Sequence, residues 1–251
     1  MPTWTPSALE SDVAPLAGKA WRVVEHQHTH ATRKLVDTQH EQMLLEDILE
    51  QSKPQYPQAV AHFDYLLKTP FRYLPVNRYG SRFRRAGSRD GVFYASKALP
   101  TALAETAFYR IRFFNGTESD MLPRPRAQLT AFTIAFDTAR HIDLRQPPLN
   151  RDREKWMSLT HYQDTQALGD VAREARVELI AYASVRAPNA GVNYALLSPA
   201  AFQGTQPIDR QTWYFYLSPL EAHFSRALAT GPDDHCIFDR ARFDAMPTLS
   251  A

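Results

Sequence analysis

Strand-type and helix-type segments alternate along this chain without a regular repeat. β-branched and aromatic residues predict strands over 19–26, 92–96, 127–136, 177–186, 191–197 and 211–218, and 141–144 fits a further short strand. Apolar residues at helical spacing predict helices over 40–52, 60–70, 100–114 and 164–176. A doubly wound parallel sheet needs a regular strand-helix repeat. Its absence predicts an α+β fold, with a mixed central sheet and flanking helices.

The domain organisation follows from length and composition. With 251 residues, of which 44% are hydrophobic and 22% charged, the chain has ordinary globular composition. Three prolines predict an irregular arm over residues 1–18. The remaining residues, 19–251, are predicted to form a single domain.

Charge and cysteine content restrict the class of protein and its compartment. The chain has 29 basic and 27 acidic residues, so no overall charge attracts it to DNA or to a membrane. Its single cysteine, Cys236, cannot form an internal disulfide, which favours a reducing compartment. The N-terminus lacks the features of a secretory signal, and no apolar run is long enough for a membrane helix. We expect a cytoplasmic protein.

Arginines are concentrated between residues 72 and 89. No acidic residue interrupts the group until Asp90; its members are Arg72, Arg78, Arg82, Arg84, Arg85 and Arg89. A planar guanidinium binds phosphate or carboxylate through two parallel hydrogen bonds. A solvated basic loop is the plainer interpretation. Direct binding of nucleic acid is disfavoured because the chain as a whole is not strongly basic.

Three other residues are candidates on weaker local evidence. Tyr94 lies within the 92–96 strand, where a tyrosine of the sheet face is the commoner explanation. Glu105 lies among small apolar residues of a helix, with no lysine or arginine four residues away. It is either solvent-facing or held for a developing cation. Ser184 lies near a strand end without the G-x-S-x-G pattern of a nucleophile.

Metal and phosphate-loop motifs are not favoured by the sequence. His26, His28 and His30 alternate, but no cysteine or second histidine pair nearby completes a metal site. The glycine-containing stretch "GSRFRRAG" matches neither phosphate-binding glycine pattern. We therefore predict no metal.

Several short motifs, in order, resemble the RES-domain family, which is named for an arginine, a glutamate and a serine. They are "WRVVE", "GSRF", "GVFYAS" followed by "TALAE", and "YASVR", and the resemblance spans roughly residues 20–220. Members of the family are typically toxins of bacterial toxin-antitoxin pairs that break down NAD. Their fold is similar to that of ADP-ribosyltransferase toxins.

The resemblance implies a role for five residues. Arg22 and Arg82 would bind the phosphates of NAD, and Glu105 would stabilise the positive charge that develops on the ribose. Tyr94 would orient the nicotinamide-ribose end, and Ser184 would hydrogen-bond the substrate. Compact members have G-G-R-W-N where this chain has "GSRFR". The segment between the two arginines is also long, which predicts a helical insertion at about 31–70.

The resemblance further implies a toxin that cleaves the nicotinamide-ribose bond, as a phosphorylase or a glycohydrolase. NAD would be its substrate, with no separate cofactor, and its partner would be a helix-turn-helix antitoxin. Two alternatives remain open. One is an ADP-ribosyltransferase that modifies a protein. The other is a non-catalytic interaction or nucleic-acid-binding component of a repressor complex.

Overall fold

A computed structural model of the protein describes residues 4–26, 35–72, 80–116 and 127–247. The helices are α1 (Pro6–Ser11), α2 (Gln39–Gln51), α3 (Tyr65–Lys68), α4 (Leu99–Asn115), α5 (Arg153–Trp156), α6 (Gln163–Glu174) and α7 (Arg240–Asp244). The strands are β1 (Ala14–Glu25), β2 (Phe93–Ser96), β3 (Ala127–Asp143), β4 (Leu179–Ala183), β5 (Val192–Leu196), β6 (Asp209–Leu217), β7 (Glu221–Arg226) and β8 (His235–Asp239).

The strands form one eight-stranded mixed sheet in the order β1-β2-β5-β4-β3-β6-β7-β8. Among the pairings of the described strands, only β3–β4 is parallel. Strand β1 also pairs with β3 in antiparallel register from Ala14 to Glu25, so β1, β2, β5, β4 and β3 close into a ring. The predicted α+β fold with a mixed sheet and flanking helices is confirmed.

Strand β3 is the longest element and joins two parts of the sheet. Its first residues, 127–133, pair with β6, and its last, 141–143, pair with β4. The segments 127–136 and 141–144, predicted as separate strands, are therefore one continuous strand that ends at Asp143. The intervening residues stay extended because β1 pairs with them along the opposite edge.

Helix α4 packs across β1 with its small and apolar side chains. Leu103, Ala107 and Ile111 are almost wholly buried, at spacings that place them on one helix face. Pro100 occupies the first turn, where its missing N–H costs nothing. At about 100° per residue, Glu105 projects from a different side of α4 than these three side chains.

The N-terminal segment corrects the expectation of an irregular arm over residues 1–18. Helix α1 starts at Pro6, with the Thr5 side chain accepting a hydrogen bond from the Ala8 N–H. Trp4 and Leu9 are buried in the core beside α6. Strand β1 already begins at Ala14. Burial of these two apolar side chains orders a segment whose prolines resemble those of a loop.

The 31–70 insertion contains the predicted helix α2, which starts with a capping box formed by Thr38 and Glu41. The predicted helix over 60–70 is shorter than expected. Only α3 is α-helical there, because Asp64 caps its start and Pro70 lies just after its end. The described residues beyond 218 were not predicted to be regular, yet they form β7, β8 and α7, of which β8 and α7 pack against α4.

Two of the residues considered from the sequence, His28 and His30, lie outside the described residues, as does Arg78. Within the described ranges, no helix combines the length and the apolar character that crossing a membrane requires.

Candidate active site

A cleft of about 350 Å³ opens between α4 and strands β1, β2 and β5. Four of the five residues proposed from the sequence line it, namely Arg22, Arg82, Tyr94 and Glu105. Ser184 is not among the described residues that line the cleft, but it bonds directly to Glu105. The fold therefore brings all five into one neighbourhood, although they are spread over 163 positions from 22 to 184 in sequence.

Glu105 is held by three hydrogen-bond donors. One oxygen, Oε1, accepts from Ser184 Oγ and from Asn193 Nδ2, each at 2.7 Å. The other oxygen, Oε2, accepts from Arg186 Nη1 at 2.6 Å. Its side chain is 20% exposed. Of the two interpretations of Glu105, the solvent-facing one is therefore wrong, and the carboxylate is a fixed charge at the cleft wall.

Ser184 acts through Glu105 in this structure. Its hydroxyl donates to the carboxylate and accepts from the backbone N–H groups of Arg186 and Ala187, at 3.2 and 3.0 Å. A hydroxyl has one hydrogen to donate, and that hydrogen is engaged. In this structure the Ser184 hydroxyl positions the Glu105 carboxylate, and a hydrogen bond from Ser184 to the substrate stays a prediction.

Arg186 is a site residue that the sequence argument missed. Its side chain is only 6% exposed, and its guanidinium stacks on the rings of Phe108 and Tyr109 at 4.2 and 4.6 Å. Burial disfavours its charge, but the nearby Glu105 outweighs this and keeps the pKa of Arg186 above its ordinary value. The available signal was an arginine directly after the apolar β4 strand, in the "YASVR" motif.

Asn193 and Tyr162 complete the surroundings of the ion pair, and both were missed as well. Asn193 lies opposite Ser96 on the neighbouring strand, and Ser96 Oγ donates to its Oδ1 at 2.7 Å. This bond turns the amide so that Nδ2 points to Glu105. The Tyr162 hydroxyl accepts from Arg186 Nη2 at 2.8 Å. Residues on separate elements thus fix both partners of the pair.

Tyr94 connects the cleft to the part of the arginine-rich segment around Arg82. Its hydroxyl lies 2.9 Å from Ser81 Oγ and accepts from the Phe83 N–H at 3.0 Å. Burial raises the pKa of Tyr94 to about 12, so the phenol stays protonated at neutral pH. Arg22 Nη1 donates to the Tyr94 backbone carbonyl at 2.7 Å. The Tyr94 backbone carbonyl therefore holds Arg22. The side-chain hydroxyl of Tyr94 holds the residues on either side of Arg82.

Arg82 is fixed by backbone groups as well as facing the cleft. Its Nη1 and Nη2 donate to the carbonyls of Trp156 and Ser158 at 2.7 and 3.0 Å. Its guanidinium lies 4.6 Å from the centre of the Tyr162 ring. Arg82 is 6% exposed, so desolvation would strengthen its interaction with an anion that enters the cleft.

The described part of the arginine-rich segment is only partly the solvated basic loop that composition favours, since Arg89 and Arg85 are exposed but other members are not. Arg82 and Arg84 are buried, Arg72 pairs with Glu50, and Arg85 pairs with Asp170. The described members therefore go to different places, and only Arg82 faces the cleft.

The histidine stretch contributes no metal site among the residues described. His26 Nδ1 lies 2.9 Å from Thr130 Oγ1. No group of three or more histidine, cysteine or acidic side chains in the described ranges is arranged to hold a metal ion. The absence of a metal in the reaction stays a prediction.

Comparison with known proteins gives a fold neighbour and a family. A chain of the crystal structure of the M. tuberculosis MbcT–MbcA toxin-antitoxin complex superposes with a TM-score of 0.48 at 12% identity, over 82% of this chain and 89% of that one. No curated protein matches. The model of the RES domain matches residues 56–218, which include Arg82, Tyr94, Glu105 and Ser184 but not Arg22. Since the match covers more than half of the chain, this protein belongs to the RES domain family.

Proposed function

We propose that the protein is a toxin-type enzyme that binds NAD in this cleft and cleaves its nicotinamide-ribose bond. The observation that carries the proposal is the Glu105 carboxylate, fixed by three donors at the wall of a cleft that two arginines also line. Membership of the RES family supports the same activity.

The reaction requires charge stabilisation more than proton transfer. When the bond between ribose C1′ and the nicotinamide nitrogen breaks, both electrons leave with nicotinamide, which becomes neutral. The ribose is left with a positive charge shared between C1′ and the ring oxygen. An oxygen of the acceptor then bonds to C1′. Water releases a proton to the solvent in this step, whereas a phosphate dianion attacks through an unprotonated oxygen. The leaving group carries its own positive charge, so the step needs neither a metal nor a second cofactor.

Glu105 supplies the negative charge that this transition state needs. Its donors hold the carboxylate in place before the reaction, so no reorganisation is required as the cation forms. One preorganised electrostatic contact of this kind lowers the activation free energy by about 3 to 4 kcal/mol. Ser184, Arg186 and Asn193 act as positioning residues, because each contacts Glu105 rather than the reacting atoms.

The two arginines of the cleft would bind the phosphates of NAD. Arg22 and Arg82 line the cleft and are already oriented by backbone carbonyls, which lowers the entropy cost of binding a phosphate. Tyr94 lies between them and would orient the nicotinamide-ribose end. The acceptor is proposed to be inorganic phosphate or water, which makes the protein a phosphorylase or a glycohydrolase.

A helix-turn-helix antitoxin is proposed as the partner, and the cytoplasm, where NAD is available, as the location. Both follow from the family rather than from any group in the cleft. An ADP-ribosyltransferase would use the same first step with a protein side chain as the acceptor.

The experiment is incubation of the purified, partner-free protein with NAD, with and without inorganic phosphate, followed by mass spectrometry. We expect release of nicotinamide, and the second product identifies the acceptor. Glu105→Gln should lower the rate at least a hundredfold in a protein that still unfolds cooperatively, although at a lower temperature than wild type because Arg186 loses its charged partner. Intact NAD after incubation with folded wild-type protein would reject the proposal and favour a non-catalytic interaction protein.

A further inference from the structure

A second cavity adjoins the candidate active site. It has a volume of about 340 Å³ and is lined by residues of α4, of the last part of β1 and of the start of β3. Val23, Thr106 and Tyr109 line both cavities. The two cavities are therefore adjacent, and the chemistry proposed above uses only one of them.

The walls of this second cavity differ from those of the catalytic cleft. Val24 and Leu129 are aliphatic, and Tyr109 and Phe113 are aromatic residues on successive turns of α4. These two aromatic side chains are 53% and 64% exposed, and they lie next to each other at the cavity, where adjoining exposed apolar groups can form a binding surface.

Among the described residues that line this cavity, the charged side chains are paired. Arg110 Nη2 lies 2.9 Å from Glu25 Oε1, so the basic side chain described there already has an acidic partner. Such walls suit a flat, uncharged ring better than a phosphate.

We propose that this second cavity, which we call the α4 groove, binds the adenine ring of the dinucleotide, with Phe113 as its stacking surface. The inference rests on the proposed function and adds the subsite for the non-reacting half of the substrate. Phe113 follows Glu105 by eight residues, or about 12 Å along the helix axis. The helix therefore separates the reacting ribose at Glu105 from a base at Phe113, with room for the pyrophosphate between them.

The test compares two substrates that differ only in the adenosine half. Nicotinamide mononucleotide carries the scissile bond but lacks adenosine monophosphate, so it should reach Glu105 without occupying the α4 groove. We expect Phe113→Ala to lower kcat/KM for NAD about tenfold, as loss of a base-aromatic stack does, and to leave kcat/KM for the mononucleotide unchanged. Phe113→Tyr keeps the ring and should restore the value for NAD.

Tyr216→Ala is the matched control, because Tyr216 is an exposed aromatic residue on β6 that lines neither cavity. It should behave as wild type with both substrates. A loss for both substrates in Phe113→Ala would show that the residue acts on the catalytic cleft, and no loss for NAD would show that it does not contact adenine. Either result overturns the inference.

A binding measurement separates this inference from the proposed function. If the wild type releases nicotinamide from neither substrate, the proposed activity fails, and calorimetry with ADP-ribose still tests the groove. ADP-ribose should bind Phe113→Ala about tenfold more weakly than wild type or Tyr216→Ala. Equal affinity for all three proteins, or no binding to the wild type, would reject the α4 groove as an adenine site.

Discussion

Arg186 lies 2.6 Å from Glu105 and is the less exposed partner of the pair, with its guanidinium enclosed between the carboxylate and the rings of Phe108 and Tyr109. Removing one partner of a buried pair leaves the other charge unpaired and desolvated. The pair therefore links the stability of the fold to the charge that the proposed chemistry uses.

The first prediction concerns this coupling. Arg186→Met should lower the free energy of unfolding by about 3 kcal/mol, because it removes one partner of a buried ion pair. In Glu105→Gln/Arg186→Met the loss should be smaller than the sum of the two single losses. Urea unfolding of the four proteins measures this coupling, and strictly additive losses would contradict it.

A second prediction compares the effects of replacing two arginines of the arginine-rich segment, Arg82 and Arg85. Arg82→Ala should raise KM for NAD about tenfold and lower kcat less, because the guanidinium binds phosphate before and during the reaction. It should also lower Tm, since the carbonyls of Trp156 and Ser158 lose their donors. Arg85→Ala is the control, because Arg85 is half exposed and pairs with Asp170 away from the cleft.

Saturation curves and thermal unfolding of both arginine variants check this prediction. A normal KM in Arg82→Ala would remove its phosphate role and leave a structural one.

Tyr94 gives the protein a predicted loss of stability at alkaline pH. Its pKa is raised to about 12 in the folded protein, above the value of about 10 in an unfolded chain. Because the folded state holds this proton more tightly, the stabilisation is full below pH 10 and is lost as the pH rises toward 12. Denaturant unfolding of the wild type should therefore show a falling free energy over this interval.

Tyr94→Phe should be less stable than wild type at pH 8, because Ser81 and the Phe83 N–H lose their partner. Its free energy should fall less steeply between pH 10 and 11.5. Tyr216→Phe serves as the exposed control. If Tyr94→Phe and wild type decline in parallel, titration of Tyr94 is not linked to folding.

For a glycine in α6, we predict that replacement by alanine lowers stability, which is the opposite of what helix propensity alone would give. Gly→Ala inside a helix normally stabilises by about 1 kcal/mol. At Gly169 a Cβ would lie 2.6 Å from the Phe83 carbonyl oxygen, which is backbone and cannot rotate away. We expect Gly169→Ala to destabilise the protein by about 1 to 3 kcal/mol through this overlap.

Gly116→Ala is the matched control for the glycine prediction. The nearest atoms to its new Cβ lie at 3.5 Å, and its φ of −89° suits alanine. Differential scanning calorimetry of both variants measures the effect. A higher melting temperature for Gly169→Ala than for wild type would contradict the prediction. It would show that α6 and the backbone at Phe83 can move apart at little cost in free energy.

The sequence by itself determined the elements whose patterns are local. Apolar spacing set α2, α4 and α6, the first two with signals at their first turns, and β-branched and aromatic runs set β2, β5 and β6. Ordered short motifs were enough to indicate the family, because they preserve residue type and order even where each is weak. Glu105 was recognisable as unusual since its own helix offers it no basic partner.

The tertiary structure alone decided which groups Glu105 meets. Ser184, Arg186 and Asn193 lie 79, 81 and 88 residues away, so no local spacing rule relates them to the carboxylate. The same holds for the ordering of Trp4 and Leu9, which depends on a core formed mostly by residues more than a hundred positions later. Local propensity fixes backbone form, whereas the partners of a buried charge are fixed by sheet order and long-range packing.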